Sequence, residues 1–250
     1  MEFGKLTEGK YHEKYVVPNE WFYGTMISQL SKLPSGSKVL DIGSGPGTIA
    51  QHASNANLEL NILGIEPSNL VNDGINLAMN LVEIGSKVKY FPKKGSIEKA
   101  IDLFALKEQS VDAIILMRSA HEIIKSIGYS KFEVELAKLS RVLKKDGFFF
   151  IGDPSYRLDI VKNKSGLYDE DVEIARVISE EMIYHSHPVR ELMPPDKIIS
   201  LLAGLGCEDV CYFESRPNME LLNLAKKKKI ILERSPLEMY ILVVRKNILV

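Results

Sequence analysis

A short segment with three alternating glycines constrains the fold of this chain most strongly. Residues 39–42 are apolar except for Asp41, and Gly43, Gly45 and Gly47 follow immediately. Glycine adopts positive φ easily and has no Cβ, so three of them at alternating positions let the backbone approach a bound molecule closely. The segment therefore predicts a strand, a turn shaped by a ligand, and a helix that begins at Thr48.

A carboxylate further along the chain supports a nucleoside ligand. Residues 62–66 read as a second strand ending in Glu66, which lies 19 positions after Gly47. In the dinucleotide-binding fingerprint, GxGxxG follows a strand and an acidic residue about 20 positions later binds the ribose hydroxyls. Here Thr48 stands where that fingerprint needs its third glycine. The spacing predicts a cofactor that contains ribose, although Asp41 and the glycines alone could simply end a strand and start a helix.

The pattern DxGxGxG over residues 41–47 resembles the first motif of the class I S-adenosylmethionine-dependent methyltransferases. A pyrophosphate is best bound by bare N–H groups at a helix N-terminus. S-adenosylmethionine instead presents an ammonium, a carboxylate and a sulfonium, and an ammonium needs acceptors such as turn carbonyls and a nearby carboxylate. The resemblance covers residues 36–250 and implies methyl transfer from S-adenosylmethionine. Two alternatives are an oxidoreductase using a nicotinamide dinucleotide, disfavoured by Thr48, and a protein that binds the cofactor without turnover.

Strands and helices alternate five times within residues 39–153, which predicts a doubly wound parallel sheet with right-handed crossovers. The strands are predicted at residues 39–42, 62–66, 88–91, 111–117 and 148–151, and the helices at residues 48–57, 67–84, 96–106 and 129–143. The resemblance implies a further helix and two strands, for which the candidates are residues 195–205, 208–215 and 239–244. The expected fold is α/β, with a mostly parallel seven-stranded sheet, an antiparallel edge strand and a helical substrate cap.

The 250 residues, 45% of them apolar, are enough for one domain with a sizeable core. Within it, residues 36–153 are predicted to form the cofactor-binding core. Residues 1–35 are predicted to form an N-terminal helical lid and residues 154–193 an inserted cap with helical apolar spacing. Residues 194–250 supply the C-terminal helix and the edge strands, and residues 217–229 also look helical.

The resemblance assigns cofactor contacts residue by residue. Glu66 is expected to bind both ribose hydroxyls. Ile97 is expected to pack on the adenine ring, and Ser96 or Glu98 to bind its edge. A solvated strand end would also explain Glu66, and capping of a helix would also explain Ser96. The complete predicted cofactor set is Asp41, Gly43, Ser44, Gly45, Gly47, Glu66, Pro67, Ser96, Ile97, Arg118 and Ser119.

Chemistry is expected just after the fourth strand, where the carboxyl ends of parallel strands open onto the ligand crevice. Residues 118–122 read Arg-Ser-Ala-His-Glu, and His121 is the predicted general base, since an imidazole can take a proton near neutral pH. The alternative is a histidine that only lines the cofactor pocket. No Asn-Pro-Pro-Tyr-like motif stands here, which disfavours methylation of nitrogens in DNA or protein. A small-molecule acceptor, methylated at oxygen or nitrogen, is therefore expected.

Substrate contacts are predicted from an aromatic-rich N-terminal stretch and from the inserted cap. The predicted set is Tyr11, Tyr15, Trp21, His121, Tyr156 and His185. The N-terminal aromatic residues could instead belong to an amphipathic helix that packs on the sheet. His185 and His187 form a His-x-His pair without a clear third ligand, so no metal is predicted.

Charge and hydropathy restrict the kinds of partner that are expected for this chain. A net charge of −1 gives no general attraction to nucleic acid, and the lysines at 226–229 read as a solvated helix end. No run of 18 apolar residues could span a membrane, and the first residues lack an apolar leader. The expected location is the cytoplasm. Cys207 and Cys211 would lie roughly 13 Å apart along a strand, too far for a disulfide. The oligomeric state is not predicted.

Overall fold

The computed structural model describes residues 20–156, 194–217 and 237–247. These residues form a seven-stranded sheet in the order β3-β2-β1-β4-β5-β7-β6. The strands are β1 (Ser37–Ile42), β2 (Leu60–Glu66), β3 (Lys89–Lys94), β4 (Val111–Met117), β5 (Leu143–Tyr156), β6 (Asp209–Pro217) and β7 (Leu237–Arg245).

Helices connect most of these strands and lie on both faces of the sheet. They are α1 (Glu20–Leu30), α2 (Thr48–Asn55), α3 (Val71–Glu83), α4 (Ala100–Leu103), α5 (Ala120–Ile127), α6 (Tyr129–Val142) and α7 (Pro195–Ala203), with a 3₁₀ turn at Ile97–Lys99 just before α4.

The predicted α/β class is confirmed for the mostly parallel seven-stranded sheet and its antiparallel strand. Strands β1 to β5 pair in parallel, and β7 runs antiparallel between β5 and β6. The strand order reverses between β1 and β4, so the chain leaves the sheet in opposite directions after these two neighbours. In open α/β sheets, ligands bind at the carboxyl ends of the strands beside such a reversal.

Alternate residues of the central strands pack into two separate hydrophobic cores. Ile114 and Leu116 of β4 join the cluster beneath α5, α6 and α7, while Ala113 and Ile115 join the cluster beneath α1, α2 and α3. All four side chains are fully buried. This two-sided burial explains why β4 is an almost uninterrupted apolar run in the sequence.

Several predicted boundaries are wrong, each for a local reason. The helix predicted from residue 67 begins at Val71, because Glu66 accepts the Ser68 N–H and the Ser68 hydroxyl accepts the Leu70 N–H, which forms a turn instead. The helix predicted for residues 96–106 shortens to the 3₁₀ turn and α4. Ser96 does not cap it, since its hydroxyl donates to Glu98 Oε2.

Strand β5 is longer than the predicted 148–151. It begins at Leu143 and continues to Tyr156, with Asp146 at a φ of +62° and an irregular register against β4 near Val111 and Ala113. The sequence did not indicate this length, because polar and turn-forming residues flank the apolar segment. Pairing with β4 and β7 overrides the local preference of these residues.

Helix α1 packs its apolar face on the sheet. Phe22, Met26 and Leu30 are fully buried in the cluster shared with α2 and α3, and a Cβ on Gly152 of β5 would lie only 2.6 Å from the Phe22 ring. Most of the predicted cap, residues 1–19 of the predicted lid and most of residues 217–229 lie outside the described residues.

Candidate cofactor site and active site

The glycine turn after β1 has the conformation that the sequence predicts for it. Gly43, Gly45 and Gly47 have φ values of +74°, +56° and +90°, which other residues adopt only with strain. A Cβ on Gly43 would lie 2.6 Å from the Ser119 Cβ, so this glycine admits the turn that follows β4. The two turns thus meet at the reversal of strand order.

Gly47, the third glycine, lies against other side chains. A Cβ on Gly47 would lie 2.7 Å from both Leu77 and Tyr90, and the Tyr90 hydroxyl donates to Ser44 Oγ at 3.2 Å. Gly64 in β2 also leaves room for Tyr90, since a Cβ at Gly64 would lie 2.6 Å from the Tyr90 ring. The Tyr90 side chain therefore supports the glycine turn from behind.

Glu66 closes β2 beside this turn. It is 7% exposed, and its two carboxylate oxygens accept the Gly45 N–H at 3.0 Å and the Ser68 N–H at 2.8 Å. Two backbone donors hold the carboxylate in one orientation while it still has lone pairs to offer a ligand.

Asp41 is a buried acid without a hydrogen-bond partner. Both of its carboxylate oxygens are enclosed and make no hydrogen bond, and the residue is 1% exposed. Burial raises the pKa of Asp41 from 3.8 to about 7, and repulsion by the Glu66 carboxylate adds to the shift. Such a group is costly in the ligand-free protein.

One cavity runs along the carboxyl ends of β1, β2, β3 and β4. It encloses about 920 Å³ of space including its open mouth. Its wall passes from Gly43, Arg118 and Ser119, past Glu66, to Gly95, Ser96 and Ile97. This places a glycine turn at one end, a carboxylate in the middle and an apolar side chain at the other end.

Helix α5 forms the outer wall of the cavity. The lining residues on it are Glu122, Ile123, Ser126 and Ile127, which recur at helical spacing. The segment before it is fixed by backbone contact, since the Arg118 N–H donates to the Gly152 carbonyl at 2.6 Å and Arg118 has a φ of +53°. Ser119 is 5% exposed, and its hydroxyl makes no hydrogen bond.

His121 lies on the inner side of α5 and contacts the end of β5. Its Nδ1 is 2.7 Å from Asp153 Oδ1, and its backbone N–H donates to Asp153 Oδ2 at 3.0 Å. The two residues are 4% and 0% exposed. The other ring nitrogen, Nε2, lies 4.0 Å from Glu122 Oε1 on the cavity wall. One carboxylate therefore fixes both the backbone and the imidazole of His121.

The structure brings most of the predicted cofactor residues to one cavity. Its lining includes Gly43, Gly45, Glu66, Pro67, Ser96, Ile97, Arg118 and Ser119. Asp41, Ser44 and Gly47 are not part of the lining. His121 is also not part of the lining, although its neighbour Glu122 is.

The predicted substrate residues are less fully placed. Tyr11, Tyr15 and His185 lie outside the described residues, and Tyr156 is described only as the backbone end of β5. Trp21 lies in α1 at the edge of the core, with the Arg216 guanidinium 4.7 Å from its ring centre, and it does not line the cavity.

Sequence reasoning missed two features of the site. One is α5, whose apolar residues at 120, 123, 124 and 127 have helical spacing and are followed by Gly128, so the pattern was available. The other is Asp153, which no spacing links to His121, because their contact depends on the pairing of β4 with β5.

Within the described ranges, no group of three or more His, Cys, Asp or Glu side chains is placed to hold a metal ion. No helix among these residues has both the length and the apolar character needed to cross a bilayer.

Residues 40–151, from β1 to β5, match a family described as a methyltransferase domain. This range contains the glycine turn, Glu66 and α5. The matched range, just under half of the chain, therefore resembles a methyltransferase domain, and the enzyme uses S-adenosylmethionine as its cofactor. Among curated protein sequences, none matches this chain.

Solved structures with the same fold are numerous and distant in sequence. The (4+2)-cyclase SpnF has a TM-score of 0.62 at 14% identity, covering 92% of this chain and 81% of its own. A candidate sarcosine dimethylglycine methyltransferase from Galdieria sulphuraria has a TM-score of 0.61 at 16% identity, with coverages of 98% and 92%. The cyclopropane synthase MmaA2 from Mycobacterium tuberculosis has a TM-score of 0.61 at 12% identity, with coverages of 91% and 84%. At these identities the likeness shows the fold alone.

Proposed function

We propose that this enzyme methylates an oxygen or nitrogen atom of a small-molecule acceptor, with His121 as the base when the acceptor must lose a proton. The observation that carries the proposal is the cavity along the carboxyl ends of β1 to β4. Along this cavity the glycine turn, Glu66 and Ile97 follow one another in the same order as the amino-acid part, the ribose and the adenine of S-adenosylmethionine. His121, which contacts Asp153, directly precedes Glu122 of the cavity lining.

The residues present fit the cofactor. Gly43 and Gly45 line the cavity, and their positive φ values turn the backbone there. The Glu66 carboxylate is pre-oriented by two backbone N–H groups and can accept hydrogen bonds from a ribose diol. Ile97, which is 5% exposed, offers an apolar surface for a purine ring.

When bound, S-adenosylmethionine supplies a methyl group that a sulfonium already activates. The protein's main task is then to hold the acceptor in line with that methyl group, which lowers the barrier as near-attack geometry does. Buried, fixed side chains such as His121 and Asp153 suit this task because they need no rearrangement.

His121 is proposed as the base on the basis of its contacts. A carboxylate only accepts hydrogen bonds, so an ionised Asp153 places the imidazole proton on Nδ1 and leaves the lone pair on Nε2. That nitrogen is 4.0 Å from Glu122 Oε1, and Glu122 lines the cavity. An acceptor hydroxyl or protonated amine could donate its proton there.

The acceptor is proposed to be small and not a nucleic acid. The net charge of −1 gives no general attraction to phosphates, and the cavity lies in a crevice of the sheet. We also infer a cytoplasmic location. Two fold relatives, a cyclase and a cyclopropane synthase, are named for other reactions, so the identity of the product must decide between transfer to oxygen or nitrogen and other outcomes.

The direct test is transfer of an isotopically labelled methyl group from S-adenosylmethionine into a metabolite extract, followed by mass spectrometry. We expect one labelled small molecule whose fragments place the label on oxygen or nitrogen. Added S-adenosylhomocysteine should suppress the signal, as a control. Label on carbon, protein or nucleic acid would contradict the proposal, and so would tight cofactor binding with no labelled product.

Replacing Glu66 by glutamine should weaken binding of S-adenosylhomocysteine by roughly tenfold to a hundredfold, measured by calorimetry. The reason is the loss of charge-assisted hydrogen bonds to the ribose, worth about 1.5–3 kcal/mol each. The amide keeps one acceptor oxygen, so the turn at Gly45 should persist.

Glu59 offers a matched control for this variant. It lies just before β2, at the opposite end of the strand, is exposed and accepts a hydrogen bond from the Ser35 hydroxyl. The Glu59→Gln variant should bind the ligand as the wild type does. Equal affinities for wild type and Glu66→Gln would remove Glu66 from the site.

A further inference from the structure

We propose that the edge of the sheet formed by α3 and β3 binds the surface of an anionic membrane. The proposal is independent of the acceptor and of the reaction. It rests on two sets of exposed side chains at this edge, one aliphatic and one basic. Peripheral binding of this kind needs no membrane-spanning helix, because apolar side chains enter only the boundary between headgroups and acyl chains while basic ones attract anionic lipids.

The aliphatic set lies on α3 and just after it. Its four side chains have exposed fractions between 44% and 80%, although each would gain from burial. They are Ile75, Met79, Val82 and Ile84. Positions 75, 79 and 82 recur at helical spacing and therefore share one face of α3. Exposed apolar side chains are unremarkable when scattered, but a contiguous group of them marks an interaction site.

This face of α3 points away from the rest of the sheet. Strand β3 is the outermost strand at its end of the sheet, and α3 packs on it. A Cβ on Gly47 would lie 2.7 Å from Leu77 Cδ2, so Leu77 points toward the start of α2. Side chains two positions apart on a helix point about 200° apart. Ile75 and Met79 therefore point away from α2, beyond the edge strand.

The basic set lies on and around β3. Residues 87–99 contain five lysines and a single acid, Glu98, which pairs with Lys131 outside this segment. The lysines are Lys87, Lys89, Lys93, Lys94 and Lys99, and all five are exposed. Within the described ranges, none of the five forms an ion pair with an acid. Their positive charges are therefore available to a partner, although the whole chain has a net charge of −1.

The two sets adjoin at both ends of α3. Because β2 and β3 are parallel, α3 runs back between them and is antiparallel to β3. The last turn of α3 is followed by Lys87 and Lys89. At the other end, Lys94 donates to Asn69 Oδ1 at 2.9 Å, just before α3 begins. Lysines therefore flank the aliphatic face at each end.

Strand β3 itself combines apolar and basic side chains. Phe91 is 46% exposed, and alternate residues of a strand share one face, so Phe91 lies between Lys89 and Lys93. Lysines on an edge strand also discourage pairing with another chain. That role explains neither the exposed phenyl ring nor the aliphatic face of α3.

The side-chain types favour a lipid surface over other anionic partners. Residues 71–99 contain five lysines and no arginine. Protein interfaces are enriched in arginine and depleted in lysine, and sites for single-stranded nucleic acid add several aromatic rings for base stacking. A second copy of this chain would place two lysine-rich edges against each other. At a bilayer surface, lysine stems contact apolar groups while their ammonium groups reach lipid phosphates.

The test is flotation of the purified protein with vesicles of phosphatidylcholine alone or of an equal mixture of phosphatidylcholine and phosphatidylglycerol. Wild type should prefer the mixed vesicles by about a hundredfold, since each lysine near an anionic surface strengthens binding about fivefold. High salt should weaken the binding, because it screens this attraction.

Two double variants separate the contributions. Met79→Gln with Val82→Gln should weaken binding to mixed vesicles by about tenfold, because the inserted apolar surface is lost. Lys87→Gln with Lys89→Gln should lower the preference for mixed vesicles by roughly tenfold to thirtyfold. All four positions are exposed, so the fold should persist, and thermal unfolding would verify this.

Matched changes elsewhere on the surface serve as controls. Val134→Gln replaces an exposed valine of α6, and Lys107→Gln with Lys145→Gln replaces two exposed lysines outside residues 87–99. These variants should bind both kinds of vesicle as the wild type does.

Equal binding of wild type to both kinds of vesicle, or no binding to either, would overturn the proposal. So would binding that survives unchanged in Met79→Gln with Val82→Gln, since the attraction would then be electrostatic alone. If light scattering showed a dimer that this double variant dissociates, and wild type bound neither kind of vesicle, the edge would join two copies of the chain instead.

Discussion

Replacing Asp41 by asparagine is expected to stabilise the ligand-free protein above neutral pH and, at the same time, to weaken binding of S-adenosylmethionine. The two effects have one cause. Asp41 is a buried carboxylate without a hydrogen-bond partner, so its charge is costly until a cationic ligand lies nearby. Binding and stability therefore place opposite demands on this residue.

The pH dependence follows from the raised pKa of Asp41, about 7 instead of 3.8, caused first by burial and then by the Glu66 carboxylate. Between these values the folded protein holds a proton that the unfolded chain has lost. Stability therefore falls as pH rises through this interval, and the full penalty, up to about 4 kcal/mol, is present above pH 7. The asparagine variant lacks this penalty.

Denaturant unfolding at pH 5 and pH 8 tests this prediction. The advantage of Asp41→Asn over wild type should grow between these pH values by up to about 3 kcal/mol. Glu83→Gln, an exposed carboxylate-to-amide change on α3, should show no such growth. An advantage that is the same at both pH values would contradict the argument.

Ligand binding provides the second half of the test. We expect Asp41→Asn to bind S-adenosylmethionine about tenfold more weakly, since a neutral amide cannot complement the ligand's positive charge. In wild type at pH 6.5, binding should release a proton from Asp41, so the measured enthalpy should depend on the ionisation enthalpy of the buffer. This dependence should be smaller in the variant. Equal affinity and equal buffer dependence would remove Asp41 from cofactor binding.

Local patterns in the sequence explain why the fold and much of the cofactor site could be predicted. The glycine turn joins residues that are close in sequence, and its chemistry is written in one segment of about ten residues. Glu66 was accessible because a strand that ends in a carboxylate at a regular spacing is also a local signal. Buried parallel strands such as β4 are recognisable in the sequence as runs of apolar residues.

Features that depend on strand pairing were not accessible in the same way. Tyr90 supports the glycine turn only because β3 pairs with β2, and Asp153 meets His121 only because β5 pairs with β4. Glu122 reaches the cavity wall through the orientation of α5. In each case the partners come from separate elements of the chain, so only the assembled sheet reveals the contact.

Replacing His121 by alanine should lower kcat by roughly a hundredfold to ten-thousandfold, the usual contribution of a general base, while the affinity for S-adenosylmethionine stays within about twofold. His121 does not line the cavity, so cofactor binding should not depend on it directly. The acceptor for this measurement is the one that the labelling experiment identifies. A matched control is His52→Ala, which removes a half-buried histidine of α2 that stacks on Tyr23 and should keep normal turnover.

Asp153→Asn separates positioning from simple structural support. An asparagine amide can donate to Nδ1, which would move the imidazole proton to Nε2 and remove the lone pair that a base needs. We therefore expect Asp153→Asn to lower kcat strongly and to alter its pH profile, although its side-chain oxygen can still accept the His121 N–H and hold α5 against β5. Circular dichroism and cofactor affinity would verify that the variant is folded. If both variants bind the cofactor normally and turn over at the wild-type rate, the pair only joins α5 to the sheet and the base lies elsewhere.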